Sequence, residues 1–245
     1  MGNIGSGFIM EYFYVKPEDV TSHGLTLRGD ESKHLIRVLR KNIGDRIFVA
    51  DGNEMMYQAI IAEIGKTDTR CTIAAMHRKY NEPPIDVTLA VSLLKNPARF
   101  DYLVEKTTEL GVRTILPISC EHTISHNEKR ERLEKIALSA MKQCGRSWLP
   151  RIQPLQSLKS LIDNSSHYQL KFILHEKTDS SRTITSELKL HEDIHSLLII
   201  VGPEGGFTEE ETACAVHAGF KSISLGTRRL RTETAAVAAI SHALV

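Results

Sequence analysis

The sequence predicts an α/β protein with a small, mostly β domain at its N-terminal end, and three observations carry that prediction. Short apolar runs separated by turn residues fill residues 12 to 76, two consecutive prolines interrupt them, and strands then alternate with helices to the C-terminus. Regular short runs suggest a small β-barrel. The later alternation suggests a largely parallel sheet with helices on both faces.

The first region reads YFYV, LTL, RIFVADG, MYQAIIAEIG and TRCTIAAM. One helical interruption, ESKHLIRVLR, has Asp30 as a candidate N-cap, and Leu35, Val38 and Leu39 are spaced to form one apolar stripe. Pro83 and Pro84 in NEPP can continue neither a ladder nor a helix and mark the expected boundary. The expected domains are therefore residues 10–80 and 85–245. Beyond the boundary the predicted elements are the strand IDVTLAVSLL, the helix FDYLVEKTTELG, the strand VRTILPI, the helix KRERLEKIALSAMKQCG, and the strands LKFILHE and SLLIIVG. The helix TEEETACAVHAG, the strand SISLG and the helix TETAAVAAISHAL complete the chain.

Composition narrows the class. A chain of 245 residues with 41% hydrophobic residues can fill an ordinary core. The longest apolar run, Leu197 to Val201, is far too short to span a bilayer, and MGNIGSGFIM lacks the basic and apolar segments of a signal peptide. The expected location is the cytoplasm. Residues 1–9 read as an appended or loose segment, with Met10 as the natural start. Cys71, Cys120, Cys144 and Cys214 form no CxxC pair and read as buried thiols. Formal charge is only +1, so any nucleic-acid surface must be a local patch. Candidates are Arg37, Arg40 and Lys41; Lys95 and Arg99; Arg146 and Arg151; and Arg228, Arg229 and Arg231. Any one such run is more often a solvated face.

Two segments carry the chemistry. In LLIIVGPEGGFTEEE, residues 197 to 211, an apolar strand runs into Gly202, Pro203, Glu204, Gly205 and Gly206, and a helix begins near Thr208 with acidic residues in its first turn. A glycine-rich turn at the carboxyl end of a buried strand is where open α/β sheets bind ligands. Glycine there allows main-chain groups to approach a flat ligand closely. A tight strand-to-helix turn with no ligand is the plain alternative. GPEGG matches neither GxGxxG nor GxxxxGK[ST], which argues against a dinucleotide or triphosphate. In SLGTRRLRTETAAVAAI the pattern recurs with three arginines in the loop, which either face solvent or meet an anion. Thr232 is a candidate cap for the last helix, and Ala235 to Ala239 would let it approach a neighbour closely.

Together, GPEGGF at 202 to 207 and LGTRRLRTETA at 225 to 235 resemble the signature of the RsmE family of ribosomal RNA methyltransferases. HLIRVLR at 34 to 40, Lys95, EKTTELGV at 105 to 112, and Gln143, Gly145, Arg146 and Pro150 extend the resemblance over both domains. The resemblance implies an N-terminal PUA-like β-barrel that holds RNA, and a C-terminal SPOUT domain with a trefoil knot. It also implies a homodimer, with S-adenosylmethionine bound near the subunit interface. The implied reaction is methyl transfer to N3 of a uridine in 16S rRNA of the small ribosomal subunit. Carried over residue by residue, the donor pocket is expected at Leu174, His175, Ile200, Gly202, Pro203, Glu204, Gly205, Gly206, Leu225, Gly226 and Leu230. The RNA contacts are expected at His34, Arg37, Arg40, Lys41, Lys95, Arg99 and Arg146. Because N3 must lose its proton, a fixed guanidinium would stabilise the resulting charge: Arg231 first, Arg228 second. Glu233 would orient an arginine, accept the proton, or complement the helix dipole. The chain departs from the family pattern at Glu11 and His122, where arginine is usual.

HEDIH at 191 to 195 matches the HExxH zinc pattern, but only Ser196 separates it from a strand, which leaves little room for the required helix to continue, and it reads as a surface connection. His122 and His126 lack a third ligand. No metal is expected. The rival readings are an RNA-binding protein without turnover and an enzyme that binds nucleotide phosphates.

Overall fold

The computed structural model describes residues 11–125, 129–191 and 193–245. The N-terminal segment with Met10, His126, and Glu192 of HEDIH lie outside the described residues. The chain divides into two compact units, Met1–Glu82 with Met141–Leu149, and Pro83–Ala140 with Pro150–Val245.

In the first unit, β1 (Tyr12–Tyr14), β2 (Gly24–Arg28), β3 (Arg46–Ala50), β4 (Met55–Ile64) and β5 (Asp68–Arg78) form a five-stranded sheet in the order β1-β3-β4-β5-β2. β1 runs parallel to β3, and the other neighbours are antiparallel. The strands are half-buried because apolar residues alternate: Phe13 and Val15, Leu25 and Leu27, Ile47 and Val49, and Tyr57, Ala59 and Ile61 all enter one core. Register shifts at Gln58/Ala59 and Ile61/Glu63 bend β4, as bulges do. No ladder joins the edge strands β1 and β2 among the described residues, so the curled sheet stays open, with its buried residues gathered in one core.

The predicted helix in this unit differs in detail. α1 (Gly29–Lys33) is followed by one π-helical turn, His34–Val38. The N-cap is Arg28, not Asp30; Asp30 lies inside the first turn and pairs with Lys33 at 3.1 Å. The Leu39 amide donates to the His34 carbonyl five residues back, at 3.1 Å. That wider turn changes the apolar face. Leu35 is buried, Ile36 and Leu39 pack against the core, and Val38 points away, 64% exposed.

The segment Met141–Leu149 also belongs to this unit. Arg146 is only 3% exposed, and its guanidinium clasps Glu82 with Nη2–Oε2 2.6 Å and Nε–Oε2 3.1 Å. The other carboxylate oxygen of Glu82 accepts the amides of Ser147 at 3.0 Å and Trp148 at 2.9 Å. Arg146 is therefore withdrawn as an RNA contact, because its charge is buried and satisfied internally.

The second unit contains β6 (Asp86–Ser92), α2 (Pro97–Glu109), β7 (Thr114–Ser119), α3 (Arg130–Cys144), β8 (Arg151–Ile152), β9 (Gln156–Ser157), α4 (Leu158–Asp163) and β10 (Leu170–Leu174). It ends with α5 (Ile184–Leu188), β11 (Ser196–Val201), α6 (Glu209–His217), β12 (Lys221–Ile223) and α7 (Thr232–Leu244). The last residues of α3, from Met141, are grouped with the first unit. The strand order is β12-β10-β11-β6-β7-β8, with β9 also on β7, and every pairing is parallel. Leu198 and Ile200 enter a cluster with Leu158, Leu161 and Ile162 of α4 and Ala215 of α6. Leu197, Ile199 and Val201 point the other way and are equally buried, so β11 is covered on both faces. α7 packs on that second face, against α2, β6 and β11.

The short elements β8, β9, α4 and α5 leave no trace in the sequence pattern, since two to six residues carry no measurable period. Cys71 and Cys120 are buried as expected, but Cys144 is half-buried and Cys214 exposed. Burial pushes the Cys120 thiol up to about 12 and the Cys71 thiol to about 11. His191 and His195 lie outside helices. Lys221 Nζ donates to His191 Nε2 at 2.8 Å, and the His195 amide donates to Gln169 at 2.7 Å. Among the described residues no helix is long and apolar enough to cross a membrane, and no cluster of three metal-ligating side chains occurs.

Candidate functional site

The parallel register brings three strand ends together. Leu174 of β10 lies beside Ile223 of β12, and Ile173 beside Ile200 of β11. The loops leaving these strands enclose a cavity of about 820 Å³. Its wall includes Leu174, His175, Gly202, Pro203, Glu204, Gly205, Gly206, Leu225, Gly226 and Leu230, together with Arg228 and Arg231. Of the residues expected to bind the donor, Ile200 is the one that does not reach the wall. Ile200 is fully buried against α4 and α6, and the next residue, Val201, lines the cavity in its place.

The Gly202–Phe207 loop is shaped by its own packing. A Cβ on Gly202 would lie 2.9 Å from the Phe207 ring, and one on Gly205 would lie 2.9 Å from the His122 Cβ. Gly206 meets nothing within 4 Å but has φ +75°, a left-handed conformation that side chains disfavour. Gly202 and Gly205 thus leave room for the Phe207 ring and the His122 side chain, and Gly206 supplies a backbone angle, while all three line the cavity.

Neighbouring elements hold this loop. Thr232 Oγ1 donates to the Gly202 carbonyl at 3.0 Å. Thr232 is therefore a clamp on the loop and not the cap of α7; the N-cap is Arg231, with no side-chain cap bond. Glu204 Oε1 accepts the Lys95 amide at 3.3 Å, and His122 Nδ1 lies 3.0 Å from the Gly206 carbonyl. α6 starts with a capping box in which Thr208 and Glu211 satisfy each other's amides.

The second loop carries the charge. Arg229 pairs with Glu176 at 3.6 Å, but both are so exposed that the pair contributes little. Arg228 and Arg231 are exposed and make no ion pair among the described residues. They are free to meet an anionic partner. Glu233, by contrast, does not line the cavity. It is 8% exposed, its Oε1 lies 3.6 Å from Arg99 Nε, and its buried Oε2 has no partner among the described residues. Lys95 is exposed and Arg99 half-exposed. In the first unit His34, Arg37 and Arg40 are exposed and Lys41 half-exposed.

Sequence reasoning missed several wall residues: Glu176, Lys177, Val201, Phe207, Glu209, Thr227 and Ala235. Most flank residues already singled out, and proximity to a strand end was the available signal. His122, noted in the sequence only as a departure from the family's arginine and a histidine without a third metal ligand, reaches the glycine loop across 84 positions, and no sequence pattern announces that contact.

The fold and the site define an α/β protein that receives a ligand at the carboxyl ends of adjacent parallel strands, with backbone-rich walls and cations at the rim. A sequence-family profile described as an RNA methyltransferase domain matches residues 81–244, and one described as an RNA methyltransferase PUA domain matches residues 27–73. The chain is 32% identical to the ribosomal RNA small subunit methyltransferase E of Buchnera aphidicola, over 91% of this chain and 89% of that one. It is 31% identical to the namesake from Aquifex aeolicus, over 95% and 98%. The crystal structure of a ribosomal RNA small subunit methyltransferase E from Neisseria gonorrhoeae, bound to S-adenosyl methionine, superposes with a TM-score of 0.82 at 30% identity, covering 94% of this chain and 95% of that one. The chain belongs to the ribosomal RNA small subunit methyltransferase E family of RNA methyltransferases.

Proposed function

We propose that this chain transfers the methyl group of S-adenosylmethionine to N3 of a uridine in 16S rRNA of the small ribosomal subunit. The observation that carries the reading is the cavity at the ends of β10, β11 and β12, combined with two uncommitted arginines on its rim. Its volume suits a ligand of that size. Leu174, Leu225 and Leu230 supply apolar walls for a flat base, and the main chain from Gly202 to Gly206 supplies donors and acceptors for polar edges. His175, Val201 and Gly226 complete the wall. When bound, the donor supplies an electrophilic methyl group on sulfur.

The chain's own task is to prepare the acceptor. Uridine N3 carries a proton, and as it leaves, negative charge spreads to the flanking carbonyl oxygens. A guanidinium on the rim stabilises that charge without being able to take the proton, the role given to Arg231 and secondarily to Arg228. Glu233 fits the orienting role better than that of proton acceptor, since it is buried against Arg99 and away from the cavity wall. Exposed His34, Arg37 and Arg40 and half-exposed Lys41 suit phosphate contacts, as do Lys95 and Arg99.

The reading extends to a PUA-like barrel over residues 10–80, a knotted SPOUT domain over 85–245, a homodimer and a cytoplasmic location. Support for the knot comes from strand order: β11 inserts between β10 and β6, and α7 returns from the edge strand β12 to pack on β6 and β11. The deciding experiment is a methylation assay on small ribosomal subunits from cells lacking this modification, with mapping of the product. N3-methyluridine at one site is expected. Methyl transfer to another base, or none in a protein that binds S-adenosylhomocysteine, would refute the assignment.

A further inference from the structure

We infer that His122 is a positioning residue for the glycine loop, fixing its carboxyl-terminal end in the shape that binds the donor. The inference rests on the donor reading of the cavity, and its first support is the platform on which His122 stands. The turn after β7 is bolted in place. Thr123 is buried, its Oγ1 accepts the Cys120 amide at 2.7 Å, and it hydrogen-bonds Ser92 Oγ of β6 at 2.8 Å. The Glu121 amide donates to Glu211 Oε1 of α6 at 2.9 Å. His122 therefore projects from a turn tied to both the sheet and the helix that follows the loop.

Two separate contacts run from this turn to the loop. His122 Nδ1 lies 3.0 Å from the Gly206 carbonyl oxygen, and since a carbonyl only accepts, that nitrogen must carry the proton. The His122 Cβ also sits where a side chain on Gly205 would lie, at 2.9 Å. A Cβ on Gly206 would meet nothing within 4 Å and its φ of +75° is left-handed, so it is held through its main chain, by the turn bond from its amide to the Pro203 carbonyl at 2.9 Å and by His122 at its carbonyl. The start of the loop is tied through Thr232 to Gly202 and its middle through Glu204 to the Lys95 amide. His122 ties the end. A loop already held in its bound shape loses less conformational freedom when a ligand arrives.

The test compares three variants. Asparagine places an amide N–H on the γ position, near Nδ1, whereas glutamine places it one atom further out and alanine removes it. His122→Ala and His122→Gln should bind S-adenosylhomocysteine roughly two- to tenfold more weakly by calorimetry, and His122→Asn should recover most of the wild-type affinity. In the ligand-free protein, amide hydrogen exchange across residues 202–207 should quicken in Ala and Gln and stay near wild type in Asn. Unchanged affinity and exchange in His122→Ala, or an Asn variant as impaired as Ala, would overturn the inference. Wild-type protein that fails to bind S-adenosylhomocysteine would sink the donor reading instead, while the exchange measurement would still judge the tether.

Discussion

Arg231 and Arg228 share a loop with Arg229, yet the three differ in what surrounds them. Arg229 is balanced by Glu176, while its two neighbours meet no carboxylate among the described residues. A free guanidinium at a cavity rim is available for charge that develops only during reaction. Arg231→Ala should lower the single-turnover methylation rate at saturating RNA and donor by on the order of 10² to 10³, with both ligands still binding. Arg231→Lys should fall between, because it keeps the charge but loses the planar fork. Raising the pH should partly restore the Ala variant by supplying more of the N3 anion. A wild-type rate at saturation would make Arg231 a binding residue only.

Single elements show how a local signal can mislead about a face. In HLIRVLR the helix runs only through Val38, and its one π turn shifts the apolar side to Leu35, Ile36 and Leu39 and leaves His34, Arg37 and Arg40 exposed. If these cations neutralise phosphates, replacing Arg37 and Arg40 with alanine should weaken RNA binding and flatten its salt dependence. The log–log slope should fall by about 0.7 to 0.9 for each phosphate no longer neutralised, with donor affinity unchanged. An unaltered slope would make the turn a solvated face. Arg146 is the opposite case. A candidate for the same RNA surface, it proves to be half of a buried pair. Arg146→Ala should cost roughly 3–5 kcal/mol in denaturant unfolding, because the Glu82 carboxylate would stay buried with its main charge partner gone. Arg146→Ala/Glu82→Gln should recover part of that loss, and a double variant no better than the single would argue against the pair as the cause.

For the whole molecule, the clearest pH dependence comes from Glu187 of α5. The Lys221 ammonium, donating to it at 2.7 Å, lowers its carboxyl below the ordinary value of 4.5, with Arg182 assisting. A carboxyl held below its unfolded value binds fewer protons when folded, so its contribution is complete above about pH 4.5 and is lost as pH falls through the folded value. Glu187→Gln should therefore be less stable than wild type at pH 7, with the gap in urea midpoint narrowing below pH 4.5 and closing in stronger acid. A gap independent of pH would mean that packing, and not ionisation, accounts for the difference.

Much of this protein was legible in one dimension. Alternating burial in β4 and β5, the unbroken apolar run of β11, Thr208 ahead of three glutamates, and glycine at a strand end are local demands of backbone geometry, and each appears in the order of residues. Those signals place a ligand site after β11 and β12. The partners of the side chains are another matter. Glu82 and Arg146 are 64 positions apart, Gly202 and Thr232 30, and Gly206 and His122 84. Which arginine is buried, which glycine yields to a ring or a histidine, and which carboxylate turns from the cavity were decided only when the folded chain brought distant residues together. Periodicity reports the face a residue lies on, whereas hydrogen bonding and charge depend on what stands opposite that face.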